Sequence, residues 1–246
     1  MNNKRAVNTD LFGIDGCKAG WFVVRQCGRS GKITTSVISR FENLLDWERA
    51  HAIVAVDIPI GLAADGTRTC DTLARKLLGR PRASSVFSPP TRAALATSSY
   101  EEACALNHAV SGKRISVQAF HIRNKIAEVD EVVRTRAGAA TRVFEVHPEL
   151  SFMQLRMEQG GPAHGLRESK AHAPGFALRH ALLVQCFGSA IDAALAARKP
   201  AQASRDDVLD AFAVLWSARR IASGKAFCLP EPVETDAAGV PMTIYC

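Results

Sequence analysis

Leu11-Phe-Gly-Ile-Asp15 is a short apolar run closed by Gly16, and Trp21-Phe-Val-Val24 follows after a glycine-containing turn. Both have strand length and strand composition, so they predict two buried strands. Gly28 to Gly31 mark another turn, and residues 32–38 predict a third strand. Hairpin spacing makes these three strands antiparallel neighbours. Phe41–His51 has the pattern of a short amphipathic helix. Ile53-Val-Ala-Val56 predicts a fourth strand, which ends on a carboxylate, Asp57, as the first ends on Asp15.

Residues 62–141 change character. Asp71–Leu78, Tyr100–Val110 and Gln118–Arg136 read as helices, with a proline- and serine-rich loop at 79–90, and no strand pattern interrupts them. Arg142–Val146 restores strand character and is stopped by His147-Pro148. Proline at the first helical position opens a short helix over 149–157. Residues 158–175 are polar and glycine-rich and predict a mobile loop. Phe176–Arg198 and Asp206–Ser223 predict two helices, and Met242–Tyr245 is strand-like. The order predicts one α/β domain over residues 1–246: a mixed five-stranded sheet with helices on both faces. A helical insertion at 62–141 separates the fourth and fifth strands. This is the arrangement of the RNase H-like fold.

Composition changes this picture little. The 246 residues are 47% hydrophobic and 22% charged, as in soluble globular proteins. No apolar run approaches the roughly 18 residues of a membrane span. The first ten residues lack the apolar core of a signal peptide, so the expected compartment is the cytoplasm, with no membrane partner. Seven cysteines without a C-x-x-C pair argue against a zinc ribbon or disulfide framework. Charge is more informative. The net +7 is confined to the middle: residues 68–142 hold 13 Lys/Arg against 6 Asp/Glu, whereas 1–67 hold 8 against 7 and 143–246 hold 10 against 11. A basic segment of this kind attracts phosphates and polyanions, or is simply a solvated surface.

The candidate chemistry is acidic. Asp15 and Asp57 end strands, Glu145 lies in the fifth strand, and Asp207 and Asp210 are three apart on the last long helix, on one face. In the expected sheet these carboxylates converge at one edge. Hard divalent cations take oxygen ligands, and a carboxylate-held Mg²⁺ or Mn²⁺ pair can drive phosphodiester hydrolysis. Each carboxylate also has a structural use: Asp after a strand forms turns, Asp206 suits a helix N-cap, and Glu145 between Phe144 and Val146 can face solvent.

Six ordered motifs carry a resemblance. Phe12-Gly-Ile-Asp15-Gly-Cys-Lys18-Ala-Gly-Trp21, Val56-Asp57-Ile-Pro59-Ile-Gly61, Cys70-Asp71-Thr-Leu-Ala-Arg75, Ser84-Ser85-Val-Phe87, Phe144-Glu145-Val-His147-Pro148-Glu149 and Asp207-Val-Leu-Asp210-Ala-Phe resemble domain-of-unknown-function family 429, described as predicted RNase H-like nucleases. The resemblance implies Asp15, Asp57, Glu145 and Asp210 as catalytic metal ligands, with Asp207 as a fifth; the Asp207/Asp210 pair also resembles the terminal acidic pair of RuvC-like resolvases. The best-known RNases H carry a further Glu before the fourth strand, where this chain offers Glu42 and Glu48, neither in a matching motif. His147 can shuttle a proton or contact phosphate, and Lys18, Arg75, Arg80, Arg92 and Lys125 are candidate phosphate contacts.

Three functions therefore stand open. The first is a divalent-metal-dependent nuclease or phosphodiesterase. The second is a non-catalytic protein binding nucleic acid or a partner through the same basic groove. The third is a small-molecule phosphotransferase of actin or sugar-kinase type, suggested by Gly13-Ile-Asp15-Gly16 but lacking a second phosphate loop. With two Tyr and three Trp, the chain lacks an aromatic stacking surface, which favours a duplex or structured substrate.

Overall fold

A computed structural model describes residues 9–44 and 52–246. The chain forms β1 (Asp10–Cys17), β2 (Gly20–Gln26), β3 (Ile33–Ile38), β4 (Ala52–Asp57), α1 (Thr69–Leu78), α2 (Arg92–Leu95), α3 (Tyr100–Ser111) and α4 (Val117–Thr135). There follow β5 (Val143–Val146), α5 (Pro148–Glu158), α6 (Ala173–Phe187), α7 (Ala190–Ala197), α8 (Arg205–Ala222), β6 (Cys228–Thr235) and β7 (Pro241–Tyr245). The sheet has seven strands, in the order β3-β2-β1-β4-β5-β7-β6, rather than the expected five. β1, β2 and β3 are antiparallel as expected, β1, β4, β5 and β7 run parallel, and β6 returns antiparallel at the edge. β6 escapes a sequence reading because Pro230 and Pro232 interrupt its pattern; an edge strand tolerates proline since its outer N–H groups need no partner.

Strand alternation sorts the residues onto two faces. Leu11, Phe22, Val24, Ala55 and Val146 pack under α5, α6, α7 and α8. Phe12, Ile14, Trp21, Val23, Val54 and Val56 pack under α4, through Ile126, Val129, Val132 and Val133. Part of the expected insertion is thus one layer of an α/β/α sandwich. Glu128 of α4 fastens that layer, accepting from Trp21 Nε1 at 3.1 Å and from the Phe41 N–H at 2.9 Å. Asp236, in the β6–β7 turn, accepts from the backbone N–H groups of Leu62, Ala238 and Val240 and from Arg92, which also pairs with Asp130 of α4.

Three local expectations change. Phe41–Leu44 is a single 3₁₀ turn, and residues 45–51 of the expected helix lie outside the described residues. The helix expected over 176–198 is two, broken at Gly188, whose φ of +57° suits glycine. The segment 159–172 is packed rather than loose: Leu166 is fully buried and Lys170 bonds α8.

α8 is the central helix. Ser204 caps it, with Asp207 completing a capping box, and every residue from Val208 to Ala218 is buried. It lies directly on β1 at Gly13, where a Cβ would stand 2.3 Å from Ala211 O and 2.3 Å from Leu215 N. Both obstacles are backbone, so neither can rotate away. Gly13→Ala is expected to cost roughly 1–3 kcal/mol or more by overpacking, read as a lower midpoint in chemical denaturation; an unchanged midpoint would mean that the helix can shift without penalty.

Candidate active site

Asp15 and Asp57 are register partners on the parallel strands β1 and β4. They therefore project from the same face of the sheet, on strands about 4.8 Å apart. α8 crosses that face and brings in Asp210, which is 3% exposed, against 8% for Asp15. The three line a cavity of about 340 Å³ at the strand ends, together with Arg82, Lys125, His147 and Lys170. Burial, then the Asp57 and Asp210 carboxylates, push the Asp15 carboxyl well above its ordinary range. Burial pushes Asp57 up to about 6, against the pull of His147 and with Asp210 adding to the rise. Lys170 donates to Asp210 Oδ2 at 2.5 Å, and Asp210 raises the lysine in return. One ammonium thus faces three carboxylates.

Glu145 is placed differently. It pairs in register with Val56, not Asp57, so its side chain leaves by the α4 face. There Arg68 grips it at 2.6 Å to Oε1 and 2.9 Å to Oε2, and the Ile60 N–H donates at 2.7 Å. Arg68 also bonds Asp71, and both residues are 1% exposed. Burial raises the Glu145 carboxyl and the guanidinium opposes it; the forked bonds match its ionised form. The residue lines the rim of the same cavity but does not converge with the three aspartates. Nor does Asp207: both its oxygens are bonded to Ser204, Oδ1 to the hydroxyl at 2.7 Å and Oδ2 to the N–H at 2.8 Å.

His147 caps α5. Its Nδ1 accepts from the Glu149 N–H at 3.2 Å, which leaves Nε2 to donate to Ser85 O at 3.2 Å. Among the candidate phosphate contacts, Arg92 is occupied by Asp130 and Asp236. Lys125 is bonded to Gly20 O and sits 4.7 Å over the Trp21 ring, while still lining the cavity. Arg75 bonds Val86 O and Ser88, and Lys18 and Arg80 are exposed. Glu42 is exposed and pairs with Arg40, and Glu48 lies outside the described residues. Sequence reasoning missed Lys170, Arg82, Glu149 and Arg68. Glu149, in the same motif as Glu145, is buried against Arg179 at 2.7 Å. No periodicity marks Lys170, because it lies in an irregular segment.

In kind the donors suit a hard divalent cation: buried carboxylate oxygens short of positive charge. In arrangement they fall short, because no three His, Cys, Asp or Glu side chains among the described residues are placed to hold a metal ion. Asp210 is the donor diverted, to Lys170.

The model of a family described as a protein of unknown function (DUF429) matches residues 13–235, so the chain belongs to that family. No curated protein and no solved structure matches it.

Two outcomes follow from these charges. Arg68→Met strands two buried carboxylates and is expected to cost about 3–5 kcal/mol in denaturant; Glu145→Gln, which removes a charge and keeps an acceptor for Ile60 N–H, is expected to cost less. Asp57 titrates higher folded than its ordinary value of 3.8, so the native state holds the extra proton and stability falls as pH rises from about 4 to about 6. Asp57→Asn escapes that loss. Its melting temperature should match the native chain near pH 4 and exceed it above pH 6, by about 2–4 °C per kcal/mol relieved; parallel curves would refute the carboxylate repulsion.

Proposed function

We propose that this chain is a phosphodiester hydrolase of RNase H-like type that works with Mg²⁺ or Mn²⁺ on nucleic acid. The observation that carries the reading is the adjacency of Asp15 and Asp57 in register, buried on one face with Asp210 above them and too little positive charge among them. The strand order β3-β2-β1-β4-β5, antiparallel then parallel, supports it as the RNase H-like arrangement, with β7 and β6 added beyond β5.

In this reading Asp15 and Asp57 hold the cation, and Asp210 joins them when Lys170 releases it. A divalent ion bound there supplies Lewis acidity toward a phosphoryl oxygen and activates water. The chain supplies the rest. β1 and β4 fix the two carboxylates on rigid central strands. Arg82 and Lys125 line the opposite wall, where a phosphate's negative charge is received. His147, with both ring nitrogens bonded, orients the start of α5 beside Asp57. Glu145 supports the site from the far face by holding Arg68 and the Ile60 backbone, just beyond Asp57.

A second reading has its own observation. The Lys170–Asp210 bond already supplies a cation, which suits a protein that binds phosphate without cutting it. Turnover separates the two. With Mn²⁺ or Mg²⁺, the chain is expected to cleave DNA, RNA, hybrid or branched substrates. Asp15→Asn and Asp57→Asn should each lower the rate by at least the roughly 10–100-fold lost with an outer-shell metal partner, with folding retained. Binding without cleavage of any substrate, and no heat of Mn²⁺ binding, would leave only the second reading.

A further inference from the structure

A second cavity, of about 250 Å³, opens within the segment 66–116. Arg75, Lys113 and Arg114 line it with the hydroxyls of Ser88, Ser111 and Ser116, and no acidic side chain does. Arg68 also reaches it, but its charge is spent on Glu145 and Asp71. Lys113 and Arg114 are exposed and form no ion pair with any described residue. Their turn is held in place: Asn107 Nδ2 donates to Lys113 O at 2.9 Å and to Ser111 Oγ at 3.0 Å.

This cavity adjoins the carboxylate cavity. Phe87 lines both. Arg75 fixes that shared wall from behind, donating to Val86 O at 2.7 Å and to Ser88 Oγ at 2.9 Å on either side of Phe87. On the carboxylate side of the wall, Arg82 has no hydrogen-bond partner for its guanidinium, and its Nε is shielded from solvent. The other arginines with an unpartnered Nε differ, since Arg156, Arg179, Arg198 and Arg220 each bond through their terminal nitrogens. Much of the remaining positive charge of the basic segment is consumed internally. Arg92 and Arg134 pair with Asp130, and Arg123 bonds the carbonyls of Thr97 and Phe120. Free cations thus line both sides of Phe87.

We propose that the second cavity is a phosphate subsite for the backbone of a nucleic acid, holding a phosphate of the same strand whose neighbouring segment crosses Phe87 to the carboxylates. The proposal rests on the hydrolase reading for the identity of the strand, and on the cavity's own lining for its location. Phosphate contacts of this kind position a strand and carry no sequence information. The subsite therefore takes any phosphodiester chain and sets the register at which it lies over Asp15 and Asp57.

The test is binding of a short fluorescein-labelled DNA duplex, followed by anisotropy across a salt series. Native chain, Lys113→Gln/Arg114→Gln, and a control of equal charge change, Arg29→Gln/Lys32→Gln at the exposed β2–β3 turn, are compared. The cavity variant is expected to weaken binding by about tenfold and to lower the slope of log affinity against log salt by about 2, one per lost phosphate contact. The control should keep the native slope. A cavity variant indistinguishable from the control overturns the subsite while leaving the hydrolase reading intact. A native chain that neither binds nor cleaves DNA, RNA or hybrid overturns both. Asp15→Asn distinguishes the two sites in the other direction, losing cleavage while retaining the native salt slope.

Discussion

How close a helix can come to a sheet sets the geometry of everything at the carboxylate edge. At Gly13 the backbone of α8 occupies the space in which any other residue would carry its Cβ. Ordinary helix-on-sheet packing, with side chains between, would hold α8 farther out and leave Asp210 short of the face from which Asp15 and Asp57 project. The missing side chain lets eleven consecutive buried residues of α8 settle against β1 and β4, and the apolar contact they gain holds the approach against the repulsion of three buried carboxylates. The Ser204–Asp207 capping box adds to this by fixing where the helix starts, and hence which turn carries Asp210 over the strand ends.

The buried acids fall into two electrostatic groups. Glu145, Glu149 and Asp236 each meet a guanidinium, from Arg68, Arg179 and Arg92 respectively. Those pairs are complete, since the cost of burying each carboxylate is offset within the fold by an opposite charge and further hydrogen bonds. Asp15, Asp57 and Asp210 share one lysine ammonium from an irregular segment. A charge deficit maintained in the interior is a standing destabilisation, and such perturbed groups in a cleft mark functional sites more often than structural ones. The contrast within one molecule is sharper than any single raised carboxyl.

Much of the fold is legible in the sequence. The three antiparallel strands, the parallel fourth and fifth, α4 and α8 all follow from apolar periodicity, and Asp15, Asp57 and Asp210 follow from their positions on those elements. The misreadings have physical sources. β6 hides behind prolines that only an edge position permits, and without β6 the strand-like Met242–Tyr245 has no obvious partner. Glu145 was one residue out of phase: strand parity sends it to the α4 face, and register with β4, which the sequence alone does not reveal, decides the matter. Asp207 sits on the same helical face as Asp210, but a serine three residues earlier claims it. Lys170 and Arg82 carry no periodic signal, because each acts from an irregular or single-turn segment whose path depends on tertiary packing.

The Asp236 contacts bear on how the chain is made. The Leu62 N–H that Asp236 accepts is separated from it by 174 residues, and β5 gains its outer partner only from Ile244 and Tyr245. During synthesis the strand carrying Glu145 is therefore an open edge for roughly the time needed to translate a hundred residues, several seconds at typical rates. An unpaired parallel edge is a template for intermolecular pairing. The short length of β5, four residues, limits that hazard, and the late β6–β7 hairpin ends it.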